Sequence, residues 1–441
     1  MAHGPEAAGP EGMAHGGGMS LWTQGVLLLL GAWLIASPAT LDYQSAVLTW
    51  SDIVSGILVI LFATIAVLRG VAWTSWACVA VATWLVFAPL IFWAPTPASY
   101  LNDTLLGVLI VGFAILIPHG MPMPGPDAPP GWSYSPSTWL QRTPMIALGF
   151  AGFFLSRYLT SFQLGHISAA WDPFFGTGTE QVLTSTVAKA FPISDAGLGA
   201  TVYLVEAMMG LMGDRRRWRT MPWMVTFFGI LVVPLGIVSI ILVILQPVVV
   251  GAWCTICLIA AATTLLMIPL TLDEVVAMGQ FLMRSRRAGK SVWRTFWLGG
   301  EEPGDETDTR SPGFGAPPSR LVPAMLWGMT SHWTLLLSAA LGGWLMFSYL
   351  VLPTPDDLFK VNAIAGALAV TVAVTALAEV GHAIRFVNVL LGAAIVVVPW
   401  LFGAEATTIV NNLVVGVLLI VLSFPRGMIH ERYGSWQPYI R

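Results

Sequence analysis

The chain has 441 residues, of which 56% are hydrophobic and only 10% charged. Soluble domains carry about 25% charged residues, so a soluble cytosolic enzyme is excluded. The net charge of −3 argues against a nucleic-acid partner, which would require a basic surface. Three cysteines cannot form a disulfide scaffold. What remains is a polytopic membrane protein whose first partner is the lipid bilayer.

Residues 1–19 hold Met-Ala-His-Gly twice among Gly, Ala and Pro. The stretch lacks the basic n-region of a secretory signal and reads as a disordered tail. His3 and His15 on such a tail make no metal site, and no metal is expected elsewhere. Apolar runs then follow at 21–37, 51–69, 71–93, 101–118, 144–166, 197–212, 222–246, 250–272, 325–352, 359–378, 383–402 and 406–423. A bilayer takes about 20 apolar residues per helix, and the shorter runs need neighbouring residues to span. The predicted fold is all-α with about twelve transmembrane helices in three blocks of four. These occupy 20–120, 144–283 and 323–425, separated by a Pro/Gly linker (121–143) and a polar linker (284–322), with a tail at 426–441.

Charge sets the predicted orientation. With the N-terminus in the cytoplasm, that side collects nearly all the Arg and Lys, including Arg215, Arg216, Arg217 and Arg219, while the other side receives only Lys189 and Lys360. This is the bias the positive-inside rule demands, so both termini are expected in the cytoplasm. The run Gly213 to Arg217 reads as an anchor for anionic lipid.

An internal repeat frames the chain. Trp33, Leu34, Pro38, Asp52 and Gly56 recur as Trp84, Leu85, Pro89, Asp103 and Gly107, displaced by 51 residues, and Asn362 and Gly366 recur as Asn412 and Gly416. Each unit reads as a helical hairpin. Pro ends its first helix, Asp or Asn caps the second, and Gly permits close approach. With Ser37-Pro38 and Pro399-Trp400 in these hairpins, residues 20–120 and 323–425 resemble the SPW-repeat family of bacterial membrane proteins. That family has no assigned chemistry, so the resemblance implies architecture and a bacterial inner membrane.

The middle block contains Trp253-Cys254-Thr255-Ile256-Cys257-Leu258. A spacing of three puts both sulfurs on one helical face within reach of a disulfide, at the extracytoplasmic end of the eighth helix. There the compartment is oxidising, and a helix N-terminus stabilises a thiolate on Cys254, the more exposed of the two by its place in the run. A zinc pair, a short structural disulfide and two inert buried thiols are the competing readings. Redox activity leads.

With that pair in place, residues 144–275 resemble the vitamin K epoxide reductase family. The resemblance rests on four helices, an outside loop between the first two, and CxxC at the start of the fourth. It rests also on the loop run Val182-Leu183-Thr184-Ser185, then Phe191-Pro192-Ile193-Ser194, Gly197 and Gly199. It implies that thiols outside the membrane pass electrons through Cys254 and Cys257 to a membrane quinone, ubiquinone or menaquinone. A thioredoxin-like extracytoplasmic protein is the implied donor. By depth in the run alone, Cys254, nearer the surface, would meet that partner and Cys257, deeper, would face the quinone. Ser185 matches the loop serine near the pocket. The family's relay cysteine in the outside loop is absent: Thr179 stands at its place, and 167–196 hold no cysteine. Either an external thiol reaches the inner pair directly, or thiol oxidation is not this chain's task.

The loop with Trp171, Asp172, Phe174 and Phe175 reads either as an interfacial segment with aromatic anchors or as a lid over the quinone pocket. Arg157 and Glu206 lie inside the membrane. Their distances from the run ends put them at one depth, which predicts an ion pair. Glu206 or the nearby Tyr203 could also deliver a proton to a reduced quinone. The leading function is therefore a membrane thiol–quinone oxidoreductase. A non-enzymatic quinone- or lipid-binding scaffold with a vestigial redox bundle is the alternative, and a transporter is the third reading.

Overall fold

The computed structural model describes residues 21–69, 71, 73–115, 123, 125–304, 307–425 and 427–440. The tail expected at 1–19 lies outside them. The chain forms two compact units, Met1–Met123 and Pro124–Arg441.

The first unit contains α1 (Leu21–Thr40), α2 (Ala46–Arg69), α3 (Trp73–Ile91) and α4 (Pro97–Ile115). They form two hairpins, α1 with α2 and α3 with α4, around a core of Leu27, Leu34, Val59, Leu85 and Ile110. The repeat glycines are where the backbones touch. A Cβ on Gly56 would lie 2.5 Å from the Gly31 carbonyl oxygen, and one on Gly107 would lie 2.8 Å from that of Ala82.

The second unit contains α5 (Trp139–Gln163), α6 (Gly178–Thr184), α7 (Asp195–Leu211), α8 (Arg217–Thr220), α9 (Pro222–Leu245) and α10 (Thr255–Arg287), followed by α11 (Val292–Leu298), α12 (Pro318–Met325), α13 (Trp333–Phe347), α14 (Asp356–Thr375), α15 (Val387–Leu401) and α16 (Ala406–Leu422). Helices α5, α7, α9 and α10 make a four-helix bundle around Met145, Phe228, Val232, Met267 and Ile268. The hairpins α13–α14 and α15–α16 repeat the glycine contact: a Cβ on Gly366 or Gly416 would lie 2.5 or 2.6 Å from the carbonyl oxygen of Gly342 or Gly392. Ten helical segments among the described residues are long and apolar enough to cross a membrane. One shorter apolar helix among the described residues, α16, has 17 residues. The protein is a polytopic all-α membrane protein.

Two expectations are corrected. The repeated Asp and Asn are not caps, because each second helix begins earlier and carries them in its second turn. They turn inward instead. The Tyr43 hydroxyl lies 2.9 Å from both Asp52 and Asp103, and Asn412 donates to Asn362 at 2.8 Å. The repeat displacement thus joins residues that meet across each hairpin pair.

Of the expected lipid anchor at 213–217, Arg217 is buried and so does not face lipid headgroups, while the Arg215 side chain stays half exposed. Arg217 and Arg219 are buried, Arg217 against Glu274, while Arg215 and Arg216 both pair with Asp127. They belong to a folded layer at the end of the bundle opposite the cysteines. There α10 runs on to Arg287, and Trp132, Tyr134, Trp218, Phe281 and Tyr433 pack together. Glu379, also buried, accepts from the backbone of His430 and Glu431 and from the Tyr433 hydroxyl. Residues 125–138 and 427–440 are therefore tied to the bundle.

Candidate functional site

The site begins where α9 ends. A π-type turn, Gln246–Val250, and Gly251 in the left-handed region (φ 73°) swing the chain into Trp253 and α10. The turn leaves the Gln246 side chain under the cysteines, where its Oε1 accepts from Cys254 N at 2.9 Å. Cys254 is the N-cap of α10, its Sγ 3.0 Å from the backbone N of Cys257. The two cysteines are joined as a disulfide, Cα atoms 5.2 Å apart.

The cysteines are exposed in the reverse order to that expected. Cys254 is 0% exposed, packed with Leu159, Leu183 and Ile256. Cys257 lines a cavity of about 460 Å³ inside the bundle. Position in the apolar run placed Cys254 nearer the surface. What the run could not reveal is that α6 lies over it. A Cβ on Gly178, the first residue of α6, would come within 2.1 Å of the Trp253 carbonyl oxygen, so only glycine lets this helix sit so low.

The 167–191 loop has features that suit each of its two readings. Trp171 and Phe174 point outward, 67% and 79% exposed, as interfacial anchors do. Val182, Leu183, Ser185, Val187, Ala188 and Phe191 form a lid wall of the cavity. The hinge between these roles is Asp172, whose importance the sequence did not disclose. Its carboxylate accepts from the backbone of Phe174 (3.1 Å) and Phe175 (2.9 Å) and from the Thr179 hydroxyl (2.7 Å) within the loop. It also accepts from Thr255 N (3.1 Å) and Thr255 Oγ1 (2.5 Å) at the start of α10. Phe175 reaches on to Phe347 and Trp253, and Trp253 donates to the Tyr349 hydroxyl at 3.1 Å. The α13–α14 hairpin thus braces the approach to the cysteines.

Burial by itself raises the Asp172 carboxyl, but the hydrogen bonds from Thr255, Phe175 and Thr179 outweigh it and hold the group below the usual carboxylate range. A folded-state value below the unfolded one gives stability that is complete above the unfolded value and lost as pH falls through the folded one. The carboxylate therefore stays ionised and keeps these hydrogen bonds at neutral pH, so protonation is not what releases the loop there. Asp172→Ala should cost about 1.5–3 kcal/mol for a set of hydrogen bonds to a charged group. After reduction, it should also speed alkylation of Cys254 by a membrane-impermeant maleimide by about tenfold, since thiol reactivity follows access. Unchanged labelling would show that the loop does not gate Cys254.

The remaining candidates fall in and around the cavity. Ser185 caps α6, donating to Val182 O at 2.7 Å, and lines the cavity. Tyr203 crosses it, with its hydroxyl 2.6 Å from both Ala260 O and Thr264 Oγ1. Glu206 lies on the cavity wall. The expected Arg157–Glu206 pair is not made: Arg157 donates to Ser161 Oγ at 2.6 Å, and neither Glu206 oxygen has a hydrogen-bond partner. The cause is register. Gly149 packs on Ala207, Gly152 on Tyr203 and Gly199 on Ser156, which sets Arg157 level with Leu198 and Glu206 level with Gly149. At 1.5 Å rise per residue the two lie about 12 Å apart along the bundle.

A membrane-protein four-helix bundle with a cysteine pair beside a partly open apolar cavity has the build of a membrane oxidoreductase. The comparison with known families agrees. Residues 143–272 match the vitamin K epoxide reductase family, and residues 21–117 and 332–425 match the SPW repeat domain. Along the chain, the segment similar to the vitamin K epoxide reductase family thus lies between two segments similar to the SPW repeat domain. No curated protein and no solved structure matches the chain.

Proposed function

We propose that this chain is a membrane thiol–quinone oxidoreductase, taking electrons from thiols on the side of the cysteine pair and passing them through Cys254 and Cys257 to a membrane quinone. The observation that carries the reading is the position of Cys257 on the wall of a cavity of about 460 Å³, within the range of small-molecule sites, roughly 300–1,000 Å³. Leu159, Val182, Leu198, Val202, Leu235 and Leu242 make the walls apolar, which suits a flat hydrophobic ring. Ser185, Tyr203 and Glu206 supply the few polar groups, which suits carbonyl oxygens at its edge.

A quinone bound there would accept two electrons and two protons and become a quinol. The chain's own part is to hold the sulfurs and exclude water. A thiolate from outside attacks the disulfide and leaves a mixed disulfide; a second thiol resolves it and releases the reduced pair. With no relay cysteine in 167–196, the donor must reach the pair itself when the Asp172 latch is open, and a small thiol or a thioredoxin-like protein are the candidates. The side bearing the cysteines is taken as extracytoplasmic, in a bacterial inner membrane, with both termini cytoplasmic.

The test is mass-shift alkylation of Cys254 and Cys257 in isolated membranes carrying Cys78→Ala, since Cys78 is a buried free thiol. The pair should be reduced by dithiothreitol and reoxidised on adding decylubiquinone or menadione. A pair that stays reduced whatever quinone is added would overturn this reading. It would favour a quinone- or lipid-binding scaffold, the reading that Thr179 in the relay position supports.

A further inference from the structure

Two carboxyl groups line the cavity. Asp195 is accounted for, accepting from Gln163 Nε2 at 2.5 Å and from the backbone of Ala196 at 2.8 Å. Glu206 is not. It is 1% exposed, and neither of its oxygens has a hydrogen-bond partner. An ionised carboxylate buried without a cation or donor is among the costliest groups to bury. Arg157, the cation expected beside it, is engaged about 12 Å away along the bundle. Such a group rests most stably as the neutral acid, with an O–H to offer into the cavity.

The helix register fixes its place relative to the sulfurs. Tyr203 meets α10 at Ala260 and Thr264. Cys257 lies one turn from that level toward the lid, and Glu206 one turn the other way. The cavity therefore has a sulfur near one end and an acid near the other, separated by roughly two turns or about 10 Å. A ring lying along it presents one carbonyl oxygen toward each.

We propose that Glu206 is the proton donor to the carbonyl oxygen remote from the cysteines. This rests on the cavity being the quinone site. As the S–S bond forms, the two thiols lose two electrons and two protons, and both electrons pass to the quinone. One thiol proton goes to the oxygen nearer Cys257. Glu206 gives its proton to the far oxygen, and the second thiol proton restores the acid. Nothing is left over: a dithiol and a quinone become a disulfide and a quinol.

The experiment uses the purified full chain with decylubiquinone as probe. In wild type, one component of the infrared C=O stretch of the neutral carboxyls should shift when oxidised decylubiquinone binds. That shifting component should be absent in E206Q. That variant keeps an N–H donor and should still quench tryptophan fluorescence on binding decylubiquinone, yet reoxidise the pre-reduced pair about 100-fold more slowly, the lower range for loss of a general acid. E206L, lacking the donor, should bind the probe about tenfold more weakly. A wild-type band that decylubiquinone leaves unmoved, or E206Q reoxidising at the wild-type rate, overturns the assignment while the cysteine chemistry stands. Wild type that neither binds decylubiquinone nor is reoxidised by it overturns both. The infrared shift needs no variant, so a misfolded substitution cannot mask the outcome.

Discussion

Cys254→Ser and Cys257→Ser are each expected to abolish quinone-linked thiol oxidation, because a two-electron exchange needs both sulfurs. The remaining thiols should nonetheless behave very differently. In Cys254→Ser, the lone thiol of Cys257 opens on the cavity, where a small apolar reagent such as N-ethylmaleimide can collect. In Cys257→Ser, the lone thiol of Cys254 is 0% exposed beneath α6. Acidity favours the other order: Cys254 caps α10, its Sγ 3.0 Å from Cys257 N, and a helix N-terminus stabilises a thiolate. The Asp172 carboxylate, bound to Thr255 N at 3.1 Å, sets a negative charge at the same helix end and offsets that advantage. Access should therefore decide. Labelling of Cys257 in the first variant is expected to be at least about tenfold faster than labelling of Cys254 in the second. Mass spectrometry of the alkylated chains gives both rates. The opposite order would mean that the lid stands open in the membrane.

That contrast also marks what the sequence could and could not disclose. The all-α membrane class and the order of its apolar helices were legible because apolar runs of spanning length are punctuated by proline and glycine. The cysteine pair was legible because its spacing is local. Apart from the Asp and Asn caps, which failed because each second helix begins six residues earlier, what failed depended on a partner far along the chain. Position in a run put Cys254 at the surface, but a helix more than 70 residues upstream covers it. Depth counted from run ends paired Arg157 with Glu206, but glycine contacts between α5 and α7, not the run ends, set the register. Asp172 did carry a local sign, an Asx turn ahead of Phe174. Its second set of partners is 83 residues away at Thr255. The end of α10 was drawn too early for the same reason. Its sequence turns polar at Asp273 and Glu274, and the groups that let those carboxyls be buried are Tyr134 and Arg217.

The last of these pairs carries the largest stability effect. Arg217 meets Glu274 through two hydrogen bonds of 2.6 Å, Nε to Oε1 and Nη2 to Oε2, and both side chains are 1% exposed. The Ser137 hydroxyl donates to the same carboxylate, and Arg217 Nη1 reaches the carbonyls of Met209 (2.8 Å) and Met212 (3.1 Å). Arg217→Met leaves Glu274 buried with its charge unanswered. Breaking such a pair from one side costs about 3–5 kcal/mol, whereas exchanging both partners for apolar groups is often neutral. The double variant Arg217→Met/Glu274→Leu should therefore recover most of the loss, and thermal unfolding in detergent across the four-member cycle measures the coupling. A single-variant loss under about 1 kcal/mol would mark the pair as energetically surface-like. Because α10 carries Glu274 far from its cysteine end, the penalty should fall on stability alone. The fraction of Arg217→Met that remains folded should reoxidise Cys254 and Cys257 at the wild-type rate, while a slowed rate would mean that the ion pair sets the position of α10 at the cavity.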